Sequence, residues 1–304
     1  MFIKKRFGRA VGKRRAVLKA VGVAAAASVF CIGCGSNPAN NSGKSGGGGG
    51  DDPISYATFV DSRDQQVYKM VTIGTQVWMA QNLNYNVESG WVEDEWGGGW
   101  YTEGSKCYGE DGITYVYADR YDYWEGEGTK KILSTAEVQA NCAKYGRLYD
   151  WETAMSGASS SSSVPSGVQG VCPTGWHLPS VAEWELLVRY VGGSERALKA
   201  TYGWTFEDNG TNEVGFSALP GGYGHIYIDW DSDENWQDRL KYGGIGTEWG
   251  GKAEWWSTNF TEEGRTNCGR IFLNLDLDVL YGMYESEWCR ESMHSLHSVR
   301  CVQD

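Results

Sequence analysis

The strongest periodic stretch runs from Ser180 to Gly193. Trp184, Leu187, Val188 and Val191 recur at helical spacing and form one apolar stripe. Ser180 is placed to cap the first-turn amides and Glu183, three residues on, to reach back to the cap, a reciprocal S-x-x-E box. Gly192-Gly193 follow where a left-handed cap is wanted, so the spacing predicts a helix from about 181 to about 191. Ser134 and Glu137 repeat the box, opening a helix that should end at Gly146 and carry Val138, Cys142 and Tyr145 on one face. Asp150 to Met155 adds a further turn or two.

Period-two segments lie on either side of the helices. Phe59 to Tyr68 reads as two extended runs around a polar turn, and Lys69 to Leu83 as a hairpin, with Val71, Ile73, Val77 and Met79 set against Thr72, Gln76 and Ala80. Four later runs read as strands: Phe216–Leu219, Glu254–Thr258, Ile271–Leu280 and Leu296–Val302. In the third, Leu273, Leu275, Leu277 and Val279 oppose Asn274, Asp276 and Asp278, the mark of a half-buried strand. Asn84 to Gly128 shows no period and is expected to form ordered loops pinned by aromatics, and Ser156 to Ser166 reads as low-complexity linker. Helices followed by a sheet predict an α+β domain.

The N-terminus changes the charge picture. Residues 1–34 hold eight Lys or Arg and no acid, and the apolar run Ala20–Gly33 is short of the about 18–20 residues that span a bilayer. This reads as an export signal over 1–33, with Cys34 placed for acylation, although Cys31 stands where an aliphatic residue is usual. Arg14-Arg15 leaves two readings open, a twin-arginine signal or an ordinary basic region. Residues 34–52 follow as a Gly/Ser/Asn-rich tether, and 53–304 as one domain. The chain carries −12, and without its leader 19 basic residues face 39 acidic ones, which disfavours nucleic acid as a partner.

Six cysteines remain after Cys34, an even number in an exported chain and without a CxxC pair, so disulfides fit better than zinc or a thiol nucleophile; spacing alone leaves about 15 pairings open. His177, His225, His294 and His297 show no metal-ligand spacing, and His177 is read as structural. Asp229, Asp231 and Asp233 alternate as calcium ligands often do, but the EF-hand glycine and terminal glutamate are absent and a solvated acidic loop is the favoured reading; no cofactor is expected beyond that possible calcium. The 15 Trp and 18 Tyr suit a surface that stacks on sugar rings. Trp91, Trp96, Trp100, Trp230, Trp236 and Trp249 fall in loops and are the binding candidates, while Trp78, Trp176, Trp184, Trp255 and Trp256 are expected to pack.

Seven segments in order carry a family resemblance: VTIGTQVWMAQNLNY (71–85), Cys107-Tyr108, NCAKYGRLYDWETAM (141–155), CPTGWHLPSVAEWELL (172–187), GFSALPGGY (215–223), WWSTN (255–259) and SVRCVQD (298–304). Together they resemble the Fibrobacter succinogenes major paralogous domain, a family of secreted bacterial proteins, many of them lipoproteins. More distantly, LPSVAEWELL and the closing RCV resemble formylglycine-generating enzymes. That likeness implies a C-type-lectin-like fold, two main helices packed on a twisted, mostly antiparallel sheet with long loops. The enzymes' close cysteine pair has no match, since Cys289 and Cys301 are twelve apart, so their activity does not follow. The fold resemblance implies the bridges Cys172–Cys301 and Cys268–Cys289, which leaves Cys107 to Cys142.

The expected function is a lipid-anchored binding module at the outer membrane or cell surface, with polysaccharide or another cell-surface ligand as partner. The ligand site is expected between the GFSALPGGY and WWSTN segments, using Trp230, Asp231, Asp233, Glu234, Trp236 and Trp249. The alternatives are an extracytoplasmic enzyme acting on polysaccharide and a purely structural surface protein. No Ser-His-Asp, Cys-His or phosphate-loop pattern supports catalysis, and the separation of a glycosidase carboxylate pair cannot be read from sequence.

Overall fold

The computed structural model describes residues 54–93, 99–116, 129–204, 209–226, 240–243, 245, 251–259, 270–273, 281–282 and 295–304. All belong to the compact unit Asp52–Asp304. It is a mixed α/β structure, mostly sheet, with four short helices among the described residues: α1 (Thr135–Tyr145), α2 (Trp151–Met155), α3 (Val181–Tyr190) and α4 (Glu195–Leu198).

Both predicted capping boxes form. Ser180 accepts from the amide of Glu183 while the Glu183 side chain accepts from the amide of Ser180, and Ser134 and Glu137 do the same for α1. Asp150 caps α2 through the amide of Thr153. At the end of α1 the chain must turn in a left-handed conformation (Gly146, φ 78°) close under the backbone of Asn82 and Leu83, where a side chain would collide with the Leu83 carbonyl.

A five-stranded antiparallel sheet runs in the order Ala57–Val60, Val67–Ile73, Gln76–Met79, Val302–Gln303, Trp176–His177. Its hairpin pairs Val71 with Trp78 and Met70 with Met79. This register corrects the sequence grouping: odd positions of one strand meet even positions of the other, so Val77 and Met79 lie on the face opposite Val71 and Ile73. Both faces are covered. Val71, Ile73 and Trp78 enter one core with Trp184, Leu187, Phe216 and Trp255, while Tyr68 and Met79 enter a second with Trp151, Trp176, Leu178 and Trp256. The adjacent Trp255 and Trp256 thus serve different cores, as period two requires. All five tryptophans expected to pack are buried.

The larger sheet is mostly antiparallel. Its central strands are Ala253–Trp256, Ser295–Ser298, Tyr223–Ile226, Leu240–Gly243 and Ile113–Val116, with parallel pairings between the first two and the last two.

Four further expectations are corrected. Asn84–Gly128 is not only loop: Gly90–Glu93 and Gly99–Thr102 form a hairpin, and Ser105–Lys106 and Ile113–Val116 join the larger sheet. Phe216–Leu219 is not a strand but a buried turn with one bridge from Ala218 to Lys199, because Ser217 adopts a left-handed φ of 55°. Leu296–Val302 is two strands, Ser295–Ser298 in the larger sheet and Val302–Gln303 in the smaller, so the chain crosses between sheets at Val299, Arg300 and Cys301. The serine-rich segment is tied down: Ser161 exchanges bonds with Thr258, and Ser166 donates its hydroxyl to Leu178 O and its amide to Glu183. Of Ile271–Leu280, a strand is present over Arg270–Leu273, and residues 274–280 lie outside the described residues.

Candidate functional site

Arg300 sits at the crossing between the two sheets, 1% exposed, with its guanidinium 4.2 Å from the Phe216 ring and 5.4 Å from that of Trp255. Nε and Nη2 donate to Asn82 Oδ1 at 3.0 and 2.7 Å, and Nη1 donates to the Phe216 carbonyl. Asn82 is satisfied on every side: its Oδ1 also accepts from Trp255 Nε1, and its Nδ2 donates to Tyr145 O and Ser298 Oγ. No carboxylate among the described residues pairs with Arg300. Burial accordingly pulls its pKa down to about 9, against a weaker upward pull from Tyr56, and the group remains a cation at neutral pH. A buried charge without a counter-charge is costly, and the two rings and the amide oxygen only partly replace water.

Beside Arg300 lies a polar cavity of about 380 Å³. Its walls come from the strand Val67–Ile73, the turn at Ala80–Asn84, the end of α1, the 212–219 turn and Arg300 itself. On one wall Tyr56 OH and Ser217 Oγ lie 2.9 Å apart, and Asn212 Nδ2 donates to both. Asn212 and Ser217 both hold positive φ (52° and 55°), stabilised by the Ser217 amide donating to Asn212 Oδ1 at 2.7 Å. Such backbone strain accumulates where a side-chain arrangement is fixed at the expense of the chain. Asn84 also lines the cavity, but its Oδ1 is buried and has no hydrogen-bond partner among the described residues. Lys69 and Lys144 line the cavity and are exposed, Tyr202 is 60% exposed on the same rim, and none of the lining residues is acidic.

A larger cavity, about 770 Å³, lies beside the Cys107–Cys142 bridge. Its charged groups are already committed: Glu110 accepts from the Cys107 amide and faces Arg147 at 3.6 Å, and Asp111 pairs with Lys106. The Arg300 cavity differs in that no carboxylate among the described residues lines it or pairs with Arg300.

His177 is structural, as expected. Its Nε2 lies 2.8 Å from Glu183 Oε1 and its Nδ1 2.8 Å from Asp304 Oδ1. Burial lowers its pKa, but the two carboxylates outweigh burial and the net shift is upward. His225 Nδ1 meets Ser295 Oγ at 3.1 Å, and His297 Nδ1 stands 3.0 Å from Glu254 Oε2, both pairs within the larger sheet. His294 lies outside the described residues. Among the described residues no group of three or more His, Cys, Asp or Glu is arranged to hold a metal ion, and no helix is long and apolar enough to cross a membrane.

Two of the three expected bridges are present, Cys107–Cys142 and Cys172–Cys301. Cys268, Cys289 and the acylation candidate Cys34 lie outside the described residues, as do Asp229, Trp230, Asp231, Asp233, Glu234, Trp236, Trp249 and Trp96. Trp91 is 61% exposed on its hairpin. Sequence reasoning missed the Arg300 cavity, and the only available signal was indirect: Asn82, Ser217 and Arg300 are polar residues inside three of the motif segments otherwise dominated by core positions.

No curated protein and no solved structure matches the chain. A family model, that of the Fibrobacter succinogenes major domain, matches residues 71–303, from the first hairpin through Arg300 to the last strand. With both bridges and every motif tryptophan placed in one disulfide-tied frame, the chain belongs to the Fibrobacter succinogenes major domain family.

Proposed function

We propose that this chain is a lipid-anchored, extracytoplasmic binding module of C-type-lectin-like architecture whose partner is a carbohydrate of the cell surface or its surroundings. The observation that carries the reading is the Arg300 cavity, where phenol, amide, hydroxyl and ammonium groups converge beside an exposed tyrosine. Sugars are bound by this combination, hydroxyls against amides and C–H faces against aromatic rings. Disulfides suit an oxidising compartment, and acylation of Cys34 would hold the module at the outer membrane or cell surface. Trp230, Asp231, Asp233, Glu234, Trp236 and Trp249 are proposed as a second contact surface, since the tryptophans of the two cores are Trp78, Trp151, Trp176, Trp184, Trp204, Trp255 and Trp256.

The test is a glycan array probed with the full chain, exported with its own leader and purified in detergent micelles. Binding without turnover is expected. Trp230→Ala with Trp236→Ala should weaken that binding while the melting temperature stays within about 2 °C, as for surface substitutions. Turnover of a bound glycan, abolished by one Asp or Glu change, would replace this reading with that of an enzyme.

A further inference from the structure

The two bridges stand in opposite surroundings. Cys172 and Cys301 are both 0% exposed and belong to the second core with Trp176, Leu178 and Val299, where the Met79 amide donates to the Cys301 carbonyl. Cys107 and Cys142 are 5% and 8% exposed, and each lines a cavity, Cys107 the one of about 770 Å³ and Cys142 the polar one of about 380 Å³. The helix that carries Cys142 is held by little packing. Over its first two turns, residues 135–141, α1 buries no side chain, and this part is tied to the rest of the chain by Asn141 Nδ2 donating to Tyr108 O at 3.2 Å and by the exposed Lys131–Glu137 pair. Past the bridge the chain is anchored again: the carbonyl of buried Tyr145 accepts from Asn82 Nδ2, and the Arg147 amide donates to Leu83 O. Local opening costs least where few apolar groups are buried, so the first two turns of α1 can unwind while α3 and both cores stay closed. Such an opening uncovers Cys142 and leaves Cys172 and Cys301 covered.

We propose that Cys107–Cys142 is a site of thiol–disulfide exchange, opened by a dithiol reductant while Cys172–Cys301 stays closed. In the exchange a thiolate of the dithiol attacks one sulfur of the bridge, the S–S bond breaks as a mixed disulfide forms, and the second thiol of the reductant displaces it. The bridge gains two electrons and two protons, and the dithiol leaves as an internal disulfide. Helix α1 then keeps its anchor at Tyr145 and Arg147, while Cys142, Ala143 and Lys144, which line the polar cavity, are released from Cys107. Within the binding-module reading, on which this consequence rests, reduction loosens one wall of the ligand site and oxidation restores it.

Graded dithiothreitol, added to the detergent-purified full chain under native conditions and quenched with iodoacetamide, tests this by peptide mapping. Cys107 and Cys142 should take the label at least about a hundredfold faster than Cys172 and Cys301, the difference between opening one helix and opening a core. Urea below the unfolding transition separates the two routes, because the rate at Cys107–Cys142 should rise less steeply with urea when only one helix is exposed. Equal rates with equal urea slopes, or labelling of Cys172 and Cys301 first, would overturn the proposal. Hydrogen exchange on the partly reduced chain should show α1 amides exchanging and α3 amides protected; an α1 that keeps full protection after labelling would also overturn it. On the glycan array the chain reduced at Cys107–Cys142 should bind about fivefold more weakly, the worth of one lost hydrogen bond. Cys107→Ser with Cys142→Ser should reproduce that weaker binding without dithiothreitol. A serine pair that binds like the oxidised parent, while dithiothreitol still weakens the parent, would assign the effect to other cysteines and remove the link to the cavity. An oxidised chain that binds no glycan would remove the carbohydrate reading, and selective labelling of Cys107 and Cys142 would still establish the exchange site.

Discussion

Helices α3 and α1 open with the same four-residue signature, yet the two boxes are built into different surroundings. Glu183 is 2% exposed; its Oε2 accepts from the amides of Ser180 and Ser166, and its Oε1 meets His177, which in turn meets Asp304. One carboxylate therefore caps a helix, ties down the serine-rich segment and holds the strand that carries His177. Glu137 is exposed, and beyond Ser134 its side chain meets only Lys131 among the described residues. Helix α3 presents Val181, Trp184 and Leu187 to a core, whereas α1 buries only Cys142 and Tyr145 and is fastened to the domain by the Cys107–Cys142 bridge. A local motif gives both helices their start; what that start is worth depends on what else the same atoms touch.

The largest effect should come from removing the fastening of α1. The bridge spans 35 residues, for which loop closure predicts roughly 4 kcal/mol, so Cys107→Ser with Cys142→Ser should lower the denaturant midpoint strongly. Hydrogen exchange is expected to show α1 amides opening while α3 amides keep the protection of the global transition. Loss of protection in α3 to the same degree would show that the two helices are not independently held.

Next in size is Glu183→Ala, which leaves His177 and the Ser166 amide buried with fewer partners and should cost about 3 kcal/mol. Glu137→Ala, at the matching position of an exposed box, should move the urea midpoint far less. Equal shifts would break the comparison.

The smallest effect is in the pH dependence, where the two boxes should titrate at opposite ends. The folded pKa of His177 is raised, so its contribution is complete below its unfolded value near 6.5 and is lost as pH rises through the higher folded value. For Glu137 the Lys131 ammonium, with the Ser134 amide and hydroxyl, lowers the pKa to about 2, so its contribution is present above its unfolded value and is lost as pH falls toward 2. NMR titration of the two side chains checks both signs; a His177 midpoint below 6.5 would contradict the geometry of its carboxylate pair.

Local chemistry determined a large share of this protein. The two capping boxes, the turn of helix at Asp150, the first hairpin and the burial of the motif tryptophans were legible because each depends on neighbours within a few residues or on a simple period. The Cys107–Cys142 and Cys172–Cys301 bridges were legible only through resemblance, since spacing alone does not choose among pairings. Ser105–Lys106 and Ile113–Val116 escaped because their partners, Leu148–Tyr149 and Leu240–Gly243, lie far along the chain and no period marks that in advance, while the Gly90–Glu93 and Gly99–Thr102 hairpin escaped because its short strands carry no clear alternation. The division of the last segment between two sheets escaped because a run of seven residues, Leu296–Val302, without a turn residue is compatible with one strand or two. Only the tertiary structure could assemble the Arg300 cavity, because its groups come from Tyr56, Lys69, Asn82, Lys144, Asn212, Ser217 and Arg300. Sequence fixes which side chains exist and how each short segment bends. Whether a buried guanidinium finds a carboxylate or an amide beside it is decided by long-range packing alone.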